Sequence, residues 1–236
     1  MGAAALLALA GCNISPEESA DRALRAMESY EPTYALVRHF EPQTHAELRS
    51  FIVRQLSEPP GDKHSLARGI RLVMSRMVMR RMKAAPDQLV LEYLRLVADE
   101  SQRLEPHPDI CAAILLGTAG DIREYEAPHA VARERRFYQA LLTTPARRDL
   151  PMATEDELEV FREAFLTEAQ SALGLSEPQM LDALDGIGPP LETCRVTGNL
   201  MRRLSQLPPA EAGRLFRLLA LLQEQGEQTV PIAPFV

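Results

Sequence analysis

The sequence predicts an all-α protein: one compact multi-helix domain of roughly ten helices, without a sheet. The first observation is the spacing of apolar residues, which recur every three or four positions; Leu66, Ile70, Val73 and Met77 are an example. The second is a set of helix-start signals in which Ser or Thr is followed three residues later by Glu. The third is that no alternating apolar and polar segments are bounded by hairpin turns, as the strands of a sheet would be.

Residues that cap helix starts, and Pro and Gly residues that end helices, divide this pattern into individual helices. Ser15 with Glu18 and Thr154 with Glu157 are capping boxes that start helices. Segments rich in Pro and Gly, such as 59–61 and 186–190, end them. The predicted helices span residues 15–29, 34–40, 43–56, 62–84, 87–102, 109–116, 128–142, 154–172, 176–184, 191–207 and 209–225.

Residues 12–228 are expected to form a single all-α domain. A chain of 236 residues is long enough to build a hydrophobic core without further cross-links. The polar, Pro-containing stretch 145–153 is a candidate boundary between two lobes.

The tail 229–236 contains two prolines and is expected to be extended. Two interpretations of this tail stay open: it docks on the body or on a partner, or it is loose.

The first twelve residues are an uncharged run of small and aliphatic side chains that ends in Leu9-Ala10-Gly11-Cys12. This stretch resembles the lipobox of bacterial lipoproteins, in which the cysteine is acylated and becomes the mature N-terminus. The resemblance implies that residues 1–11 are a signal peptide and that Cys12 carries a covalent lipid. The run is shorter than the roughly 20 apolar residues of a transmembrane helix. The alternative is an apolar N-terminus with a structural cysteine.

The lipoprotein resemblance also implies a location in the cell envelope. Each buried methylene of an acyl chain contributes about 0.8 kcal/mol, so several chains on one cysteine hold a protein durably at a bilayer. Residue 13 is Asn, whereas an Asp there favours retention at the inner membrane in enterobacteria-like sorting. The resemblance therefore implies an outer-membrane anchor, with the domain facing the periplasm. No cofactor beyond this lipid is expected.

With Cys12 assigned to lipid, two cysteines remain, Cys111 and Cys194. An even number of cysteines in an oxidising compartment favours a disulfide between them. The alternative is a pair of buried thiols that act as small apolar side chains. No CxxC motif is present, which argues against a redox-active pair or a zinc knuckle.

The charges are unevenly distributed along the chain. The net charge is −7, and this acidity argues against a nucleic-acid partner. Residues 62–83 carry seven basic side chains and one acidic one, whereas residues 155–192 carry ten acidic side chains and one Arg. One interpretation is a basic and an acidic surface for partners of opposite charge. The other is that the two regions pack together or are ordinary solvated faces.

The basic region is interleaved with methionines, whose flexible side chains repack easily around a partner. It is therefore a candidate surface for a protein partner. The alternative is that the methionines fill the core and that the Arg stems cover apolar surface beside them. The residues of this candidate surface are Arg68, Arg71, Met74, Arg76, Met77, Arg80 and Arg81.

Catalytic and metal-binding motifs are not found. The sequence contains no GxSxG, no SxxK and no phosphate-binding loop. Its five histidines include no HExxH, HxH or i, i+4 pair, so no metal site is expected. A glycosidase would need two convergent carboxylates, and acidic residues are too abundant here to single out such a pair. The sequence therefore favours a protein that is not an enzyme.

These observations favour a membrane-anchored envelope protein that binds another protein. One version is an adaptor or assembly factor that holds a partner near the outer membrane. A second version is an immunity protein or inhibitor that neutralises a toxin acting in the periplasm, because segregated charge suits rapid capture of an enzyme cleft. A cell-wall-modifying enzyme is the third and least favoured alternative.

Overall fold

The computed structural model describes residues 14–58, 65–119 and 122–225. Within these ranges the chain forms eleven α-helices, a short 3₁₀-helix at Arg123–Tyr125 and no strand, which confirms the all-α prediction. None of the described helices is long and apolar enough to cross a membrane. The helices are α1 (Pro16–Tyr30), α2 (Thr33–Phe40), α3 (Pro42–Ser57), α4 (Ser65–Lys83), α5 (Asp87–Leu104), α6 (Pro108–Leu115), α7 (Pro128–Thr143), α8 (Glu155–Leu173), α9 (Glu177–Leu184), α10 (Pro190–Ser205) and α11 (Pro209–Gln225).

The capping residues act at the start of α1 and α8. At α8 the N–H of Glu157 donates to Thr154 Oγ1 at 3.2 Å, and the N–H of Thr154 donates to Glu157 Oε2 at 2.8 Å. At α1 the N–H of Glu18 donates to Ser15 Oγ at 3.2 Å, while the Glu18 carboxylate accepts from Arg22. These bonds satisfy N–H groups that a helix start leaves without an intrahelical partner. Local sequence therefore sets where both helices begin.

Helix α5 is the centre of the fold and packs against α6, α7, α10 and α11. Its fully buried Tyr93 contacts Phe137 of α7 and Phe216 of α11, with ring centroids 5.7 and 5.8 Å apart. Ring pairs at this separation add stabilisation beyond the area that they bury. This aromatic cluster joins three helices that are far apart in the sequence.

Helix α10 is the most extensive partner of α5 and runs antiparallel to it. Gln102 in α5 accepts a hydrogen bond from Arg202, whereas the later Glu105 pairs with the earlier Arg195. A Cβ atom at Gly198 in α10 would lie 2.8 Å from the Cβ of Ser101 in α5. Only a residue without a side chain allows this approach of the two backbones.

One hydrophobic cluster extends from Ala20 in α1 to Ala220 in α11. Helix α3 lies against α1, α2 and α4, and α2 also contacts α7, which links the N-terminal helices to the centre. The tail 229–236 lies outside the described residues, so its extended form stays a prediction.

The candidate lobe boundary, segment 145–153, is bonded to helices on both sides. The N–H of Arg147 donates to the carbonyl of Ala84 at 2.9 Å, just after α4. The N–H of Ala153 donates to the carbonyl of Arg214 in α11 at 3.1 Å. The segment is therefore bonded to the end of α4 and to α11 as it connects α7 to α8.

Candidate functional site

Cys12 lies outside the described residues, so its acylation stays a prediction. In the sequence only three residues separate it from Pro16, where α1 begins. The sites that the structure describes are the basic face of α4, a cleft beside α7, the cysteine pair and the turn between α9 and α10.

Three of the seven residues of the candidate partner surface on α4 are buried, namely Arg71, Met74 and Met77. Met74 and Met77 are completely buried, so the prediction that they contact a partner is wrong. They lie three positions apart on the face of α4 that packs into the core, where long flexible side chains fill irregular space. The core-filling alternative therefore describes both methionines.

Arg71 is also buried, and its Nη1 atom donates to the carbonyl oxygen of Ala119 at 2.7 Å. Burial lowers the pKa of this guanidinium from its ordinary value, although nearby Tyr34 and Glu134 oppose the shift. The prediction that Arg71 contacts a partner is therefore wrong as well. Its side chain instead joins the segment after α6 to α4 through this hydrogen bond.

Arg80 and Arg81 hold one carboxylate between them. Arg80 Nη2 lies 2.6 Å from Glu41 Oε2, and Arg81 Nε lies 2.5 Å from Glu41 Oε1. Burial raises the pKa of Glu41, but the two guanidinium groups outweigh it and the pKa is lowered. Arg81 also donates to the carbonyl oxygens of Phe40 and Thr144 at 3.2 and 3.3 Å. These two arginines join α4 to the junction of α2 and α3.

Arg68 and Arg76 are the two remaining residues of the candidate partner surface on α4. Arg76 is exposed, and Arg68 is half-buried. They lie eight positions apart on α4, and Leu72, which is 51% exposed, lies four positions from each of them. The sequence indicates the helical period of α4. It does not indicate which arginines of α4 contact a neighbouring helix.

A narrow cleft of about 70 Å³ lies between α5, α6 and α7. Its lining combines the apolar Leu96 and Ile114 with the acidic Glu100, Glu126 and Glu134. A cleft of this size is well below the roughly 300–1,000 Å³ of typical small-molecule pockets. It therefore has room for water molecules or a small polar group.

Glu134 is the most perturbed acid in this cleft. Burial raises its pKa to about 8, and the carboxylates of Glu100 and Glu126 act in the same direction. Tyr138 opposes this shift by donating its hydroxyl hydrogen to Glu134 Oε1 at 3.1 Å. A carboxyl that holds its proton near neutral pH is able to act as a general acid. Sequence reasoning missed this residue, because its burial depends on helices distant in the chain.

The two remaining cysteines form a disulfide. Cys111 in α6 and Cys194 in α10 are bonded, with their Cα atoms 5.6 Å apart. Both are buried, and their sulfur atoms lie 3.8 and 3.4 Å from the carbonyl oxygen of Ser101 in α5. The bond therefore fixes α6 to α10 at the end of α5.

The turn between α9 and α10, which precedes Cys194 in the sequence, carries exposed apolar side chains. Ile187 is 75% exposed, and three leucines around it are each exposed by more than a third. The backbone N–H of Ile187 donates to the carbonyl of Asp182, and Leu116 packs against Gly186. We call this the α9–α10 surface; it consists of Leu116, Leu181, Ile187 and Leu191.

The sequence identified 186–190 as a tight loop but did not single out Ile187. A lone apolar residue between two glycines is ambiguous, because it could equally point into the core. The signal that was available is the absence of any Lys, Arg or His from residues 176–193, a segment that contains four acidic side chains. That pattern is unusual for the end of a helix, where cations are favoured.

Among the described residues, no group of three or more His, Cys, Asp or Glu side chains could hold a metal ion. Comparisons with protein-family models, with curated proteins and with solved structures find no match to this chain.

Proposed function

We propose that this protein is a bacterial lipoprotein, anchored to the outer membrane through a lipid on Cys12 and facing the periplasm. It acts there by binding another protein rather than by catalysis. The observation that carries the proposal is the buried disulfide between Cys111 and Cys194, which joins two helices beside an exposed apolar surface.

The disulfide supports the location in the cell envelope. Disulfides form and persist in oxidising compartments such as the periplasm, and they are rare in the cytosol. The Leu9-Ala10-Gly11-Cys12 sequence supports the same location independently, because a lipobox ends a signal peptide that directs a chain across the inner membrane. Two unrelated cysteine features therefore agree on one compartment.

The α9–α10 surface supports binding. Ile187 stands 75% exposed in a turn, where burying it against a partner would remove apolar area from water. Single exposed apolar residues are normal, but a group around one turn is characteristic of interaction sites.

The anchor is tested by labelling cells with radioactive palmitate and fractionating their membranes. The wild-type chain should take up label and sediment with the outer membrane. Cys12→Ala should take up none, whereas Cys111→Ala with Cys194→Ala should still be labelled. Label in the Cys12→Ala chain would refute the anchor.

Binding is tested by purifying the tagged, acylated chain from detergent-solubilised envelopes and identifying what accompanies it by mass spectrometry. A specific protein in stoichiometric amount is expected. Recovery of no protein above an untagged control would contradict a binding role.

A second version of this function is an immunity protein against a toxin acting in the periplasm. The acidic segment 176–193 favours it, because negative charge speeds the capture of an enzyme with a basic cleft. Neighbouring reading frames distinguish the two versions. A secreted toxin gene beside this one would support immunity, and envelope-assembly genes would support an adaptor.

A further inference from the structure

We propose that residues 228–236, which follow α11 in the sequence, dock into a groove between α8 and α11 of the same chain. The groove accepts an extended apolar segment, and Ile232 and Phe235 are the side chains that enter it. This docking within the chain does not depend on the proposed binding function, so either proposal can fail without the other.

An open groove of about 470 Å³ lies where the start of α8 meets α11. Its walls are joined by two interactions of Arg214 in α11. The carbonyl of Arg214 accepts from the N–H of Ala153 at 3.1 Å, and its Nη2 atom lies 2.9 Å from Glu157 Oε1. The described residues that line the groove are Ala153, Thr154, Glu155, Asp156 and Leu218. The groove is therefore a formed feature of the α8–α11 contact.

Exposed apolar side chains border this groove. Met152 is 49% exposed and comes directly before Ala153 of the lining. Val160 is 69% exposed and lies four positions after Asp156, on the same face of α8. Covering these two side chains would remove apolar area from water, which is favourable. The border of the groove therefore favours an apolar occupant.

Leu218 belongs to an apolar stripe that leads along α11 to the end of this helix. Leu221 and Leu222 lie three and four positions after Leu218, on the same helix face, and both are half-buried. Helix α11 ends at Gln225, about 10 Å along its axis from Leu218. The stripe therefore connects the groove to the point from which the following residues start.

The chain after α11 is long enough to return to the groove. Residues 226–236 follow Gln225, and an extended chain spans roughly 3.3 Å per residue, so these residues reach about 36 Å. The way back to Leu218 takes about 10 Å of this length. Gly226 comes directly after the helix, where a glycine readily adopts the left-handed conformation that ends a helix and redirects the chain. Segment 228–236 is therefore within reach of the groove.

The composition of segment 228–236 suits an apolar surface. The segment contains no charged side chain, whereas segments that remain solvated are typically polar and charged. Without a charge of its own, it also meets no repulsion from the carboxylates of Glu155 and Asp156 at the groove. Its apolar residues are Val230, Ile232, Ala233, Phe235 and Val236.

Two prolines favour an extended form of this segment. Pro231 and Pro234 fix φ near −65°, which is close to the value in a polyproline II helix. Such a helix has three residues per turn, so Ile232 and Phe235 share one face of it. A segment that is restricted before it docks loses less conformational freedom on docking, which favours affinity. The prolines therefore support docking in an extended form, with Ile232 and Phe235 facing the groove.

Attachment to α11 favours this occupant over a free one. A segment held by a short connection has an effective concentration of roughly millimolar at a site that it can reach. A separate protein would have to bind more tightly than this to replace it. A second copy of the chain offers the same segment, but each groove already has its own within reach. The segment of the same chain is therefore the occupant that the groove favours.

The test uses the full-length chain in living cells, with a photo-cross-linking amino acid at position 152. After irradiation, digestion at glutamate releases residues 228–236 as one peptide, because Glu227 precedes it. This peptide should be joined to the peptide that carries position 152, in a product with the mass of one chain. A cross-linker at position 160 should capture the same peptide.

Matched variants test which face of the segment docks. Ile232→Asp should lower the yield of the cross-link about tenfold, because a charge replaces an apolar side chain that the groove would bury. Gln228→Asp is the control, since it adds the same charge on the face that position 228 shares with the two prolines. It should leave the yield unchanged. Circular dichroism and an intact disulfide in each variant show that the fold is kept.

A cross-linker at position 187 is the control for place. Ile187 is 75% exposed and comes before α10, whose length of about 24 Å separates it from the turn into α11. A cross-linker there should not capture peptide 228–236. Equal capture from positions 152 and 187 would contradict docking in the groove.

The remaining outcomes overturn the docking in different ways. A cross-linked product with the mass of two chains would place the segment on a neighbouring copy. Capture of another protein or of lipid at position 152, without peptide 228–236, would refute the choice of occupant. Absence of the peptide from both position 152 and position 160, or equal yields for Ile232→Asp and Gln228→Asp, would refute the docking itself. None of these results decides whether the chain binds a partner elsewhere.

Discussion

Arg217, which is buried, and Asp87, which is partly exposed, form an ion pair that joins α11 to the first turn of α5, with Nη2 and Oδ1 2.5 Å apart. The Arg217 side chain is almost completely buried and also donates to the carbonyl oxygens of Ala85 and Pro151, both at 3.1 Å. One guanidinium therefore binds two separate segments of the chain, residues 85–87 and Pro151. A charge buried in this way is stabilising only while its partners remain, which makes the pair sensitive to mutation.

Arg217→Met is expected to lower the free energy of unfolding by about 3 kcal/mol, because it leaves Asp87 and the carbonyl groups of Ala85 and Pro151 without their donor. Urea denaturation of the purified soluble domain measures the change. Arg162→Met is the control, since Arg162 pairs with Glu159 on an exposed face of α8, where such pairs contribute at most about 1 kcal/mol. Equal losses in the two variants would contradict a special role for the buried pair.

The Cys111–Cys194 disulfide closes a loop with a sequence separation of 83. Replacing both cysteines with Ala should lower the free energy of unfolding by about 2–5 kcal/mol, because the unfolded chain regains the freedom that the bond removes. Denaturation curves with and without dithiothreitol measure the effect. Reductant should destabilise the wild-type protein and leave the double variant unchanged. Free thiols at both positions in non-reducing mass mapping would refute the bond.

Gly198 permits the close contact of α10 with α5. Gly198→Val should destabilise the protein by roughly 1–3 kcal/mol, because its side chain would collide with Ser101 and force the central helices apart. Thermal unfolding followed by circular dichroism measures the loss. The neighbouring Asn199→Val, at a position that is not buried, should cost less than about 1 kcal/mol. A neutral Gly198→Val variant would show that the helices can separate without cost.

Glu134 should make stability depend on pH. Burial raises its pKa from an ordinary value of 4.5 to about 8, so between these values the folded state holds a proton that the unfolded state has lost. Below pH 4.5 both states are protonated and Glu134 has no effect; as the pH rises towards 8, its contribution becomes unfavourable. Glu134→Gln should therefore be more stable than the wild type at pH 8, by roughly 1–3 kcal/mol, and similar to it at pH 4. Urea denaturation at the two pH values measures the difference.

Tyr138→Phe provides the matching test. The Tyr138 hydroxyl donates to Glu134 and lowers its pKa, so removing it should move the Glu134 transition to higher pH. A carbon-13 NMR titration of the Glu134 carboxyl group follows this directly. A transition that moves to lower pH would contradict the assigned hydrogen bond.

Helix positions were predictable because they depend on neighbours in the sequence. The capping residues Ser15 and Thr154 start helices in the structure as expected, and the apolar spacing in α4 correctly indicates a buried face. The pairing of Cys111 with Cys194 followed from parity once Cys12 was assigned to lipid. Each of these inferences needed only local patterns or a count.

The surfaces were not predictable in the same way. Arg80 and Arg81 look like part of a basic face in the sequence, but Glu41, about 40 positions earlier, lies between them in the fold. Ile187 looks like an ordinary loop residue, yet the packing of α6 against the α9–α10 turn leaves it exposed. Sequence spacing specifies which side chains share a helix face, and it does not specify which helix covers that face.

The sequence by itself determined the all-α class, the approximate helix boundaries and the cysteines available for pairing, because backbone hydrogen bonding and capping act over a few residues. Only the tertiary structure decided that Met74 and Arg71 are buried, that burial raises the pKa of Glu134, and that Ile187 is exposed. The physical reason is that burial and charge pairing depend on residues far apart in the chain, which approach only when α5, α6, α7 and α10 pack together.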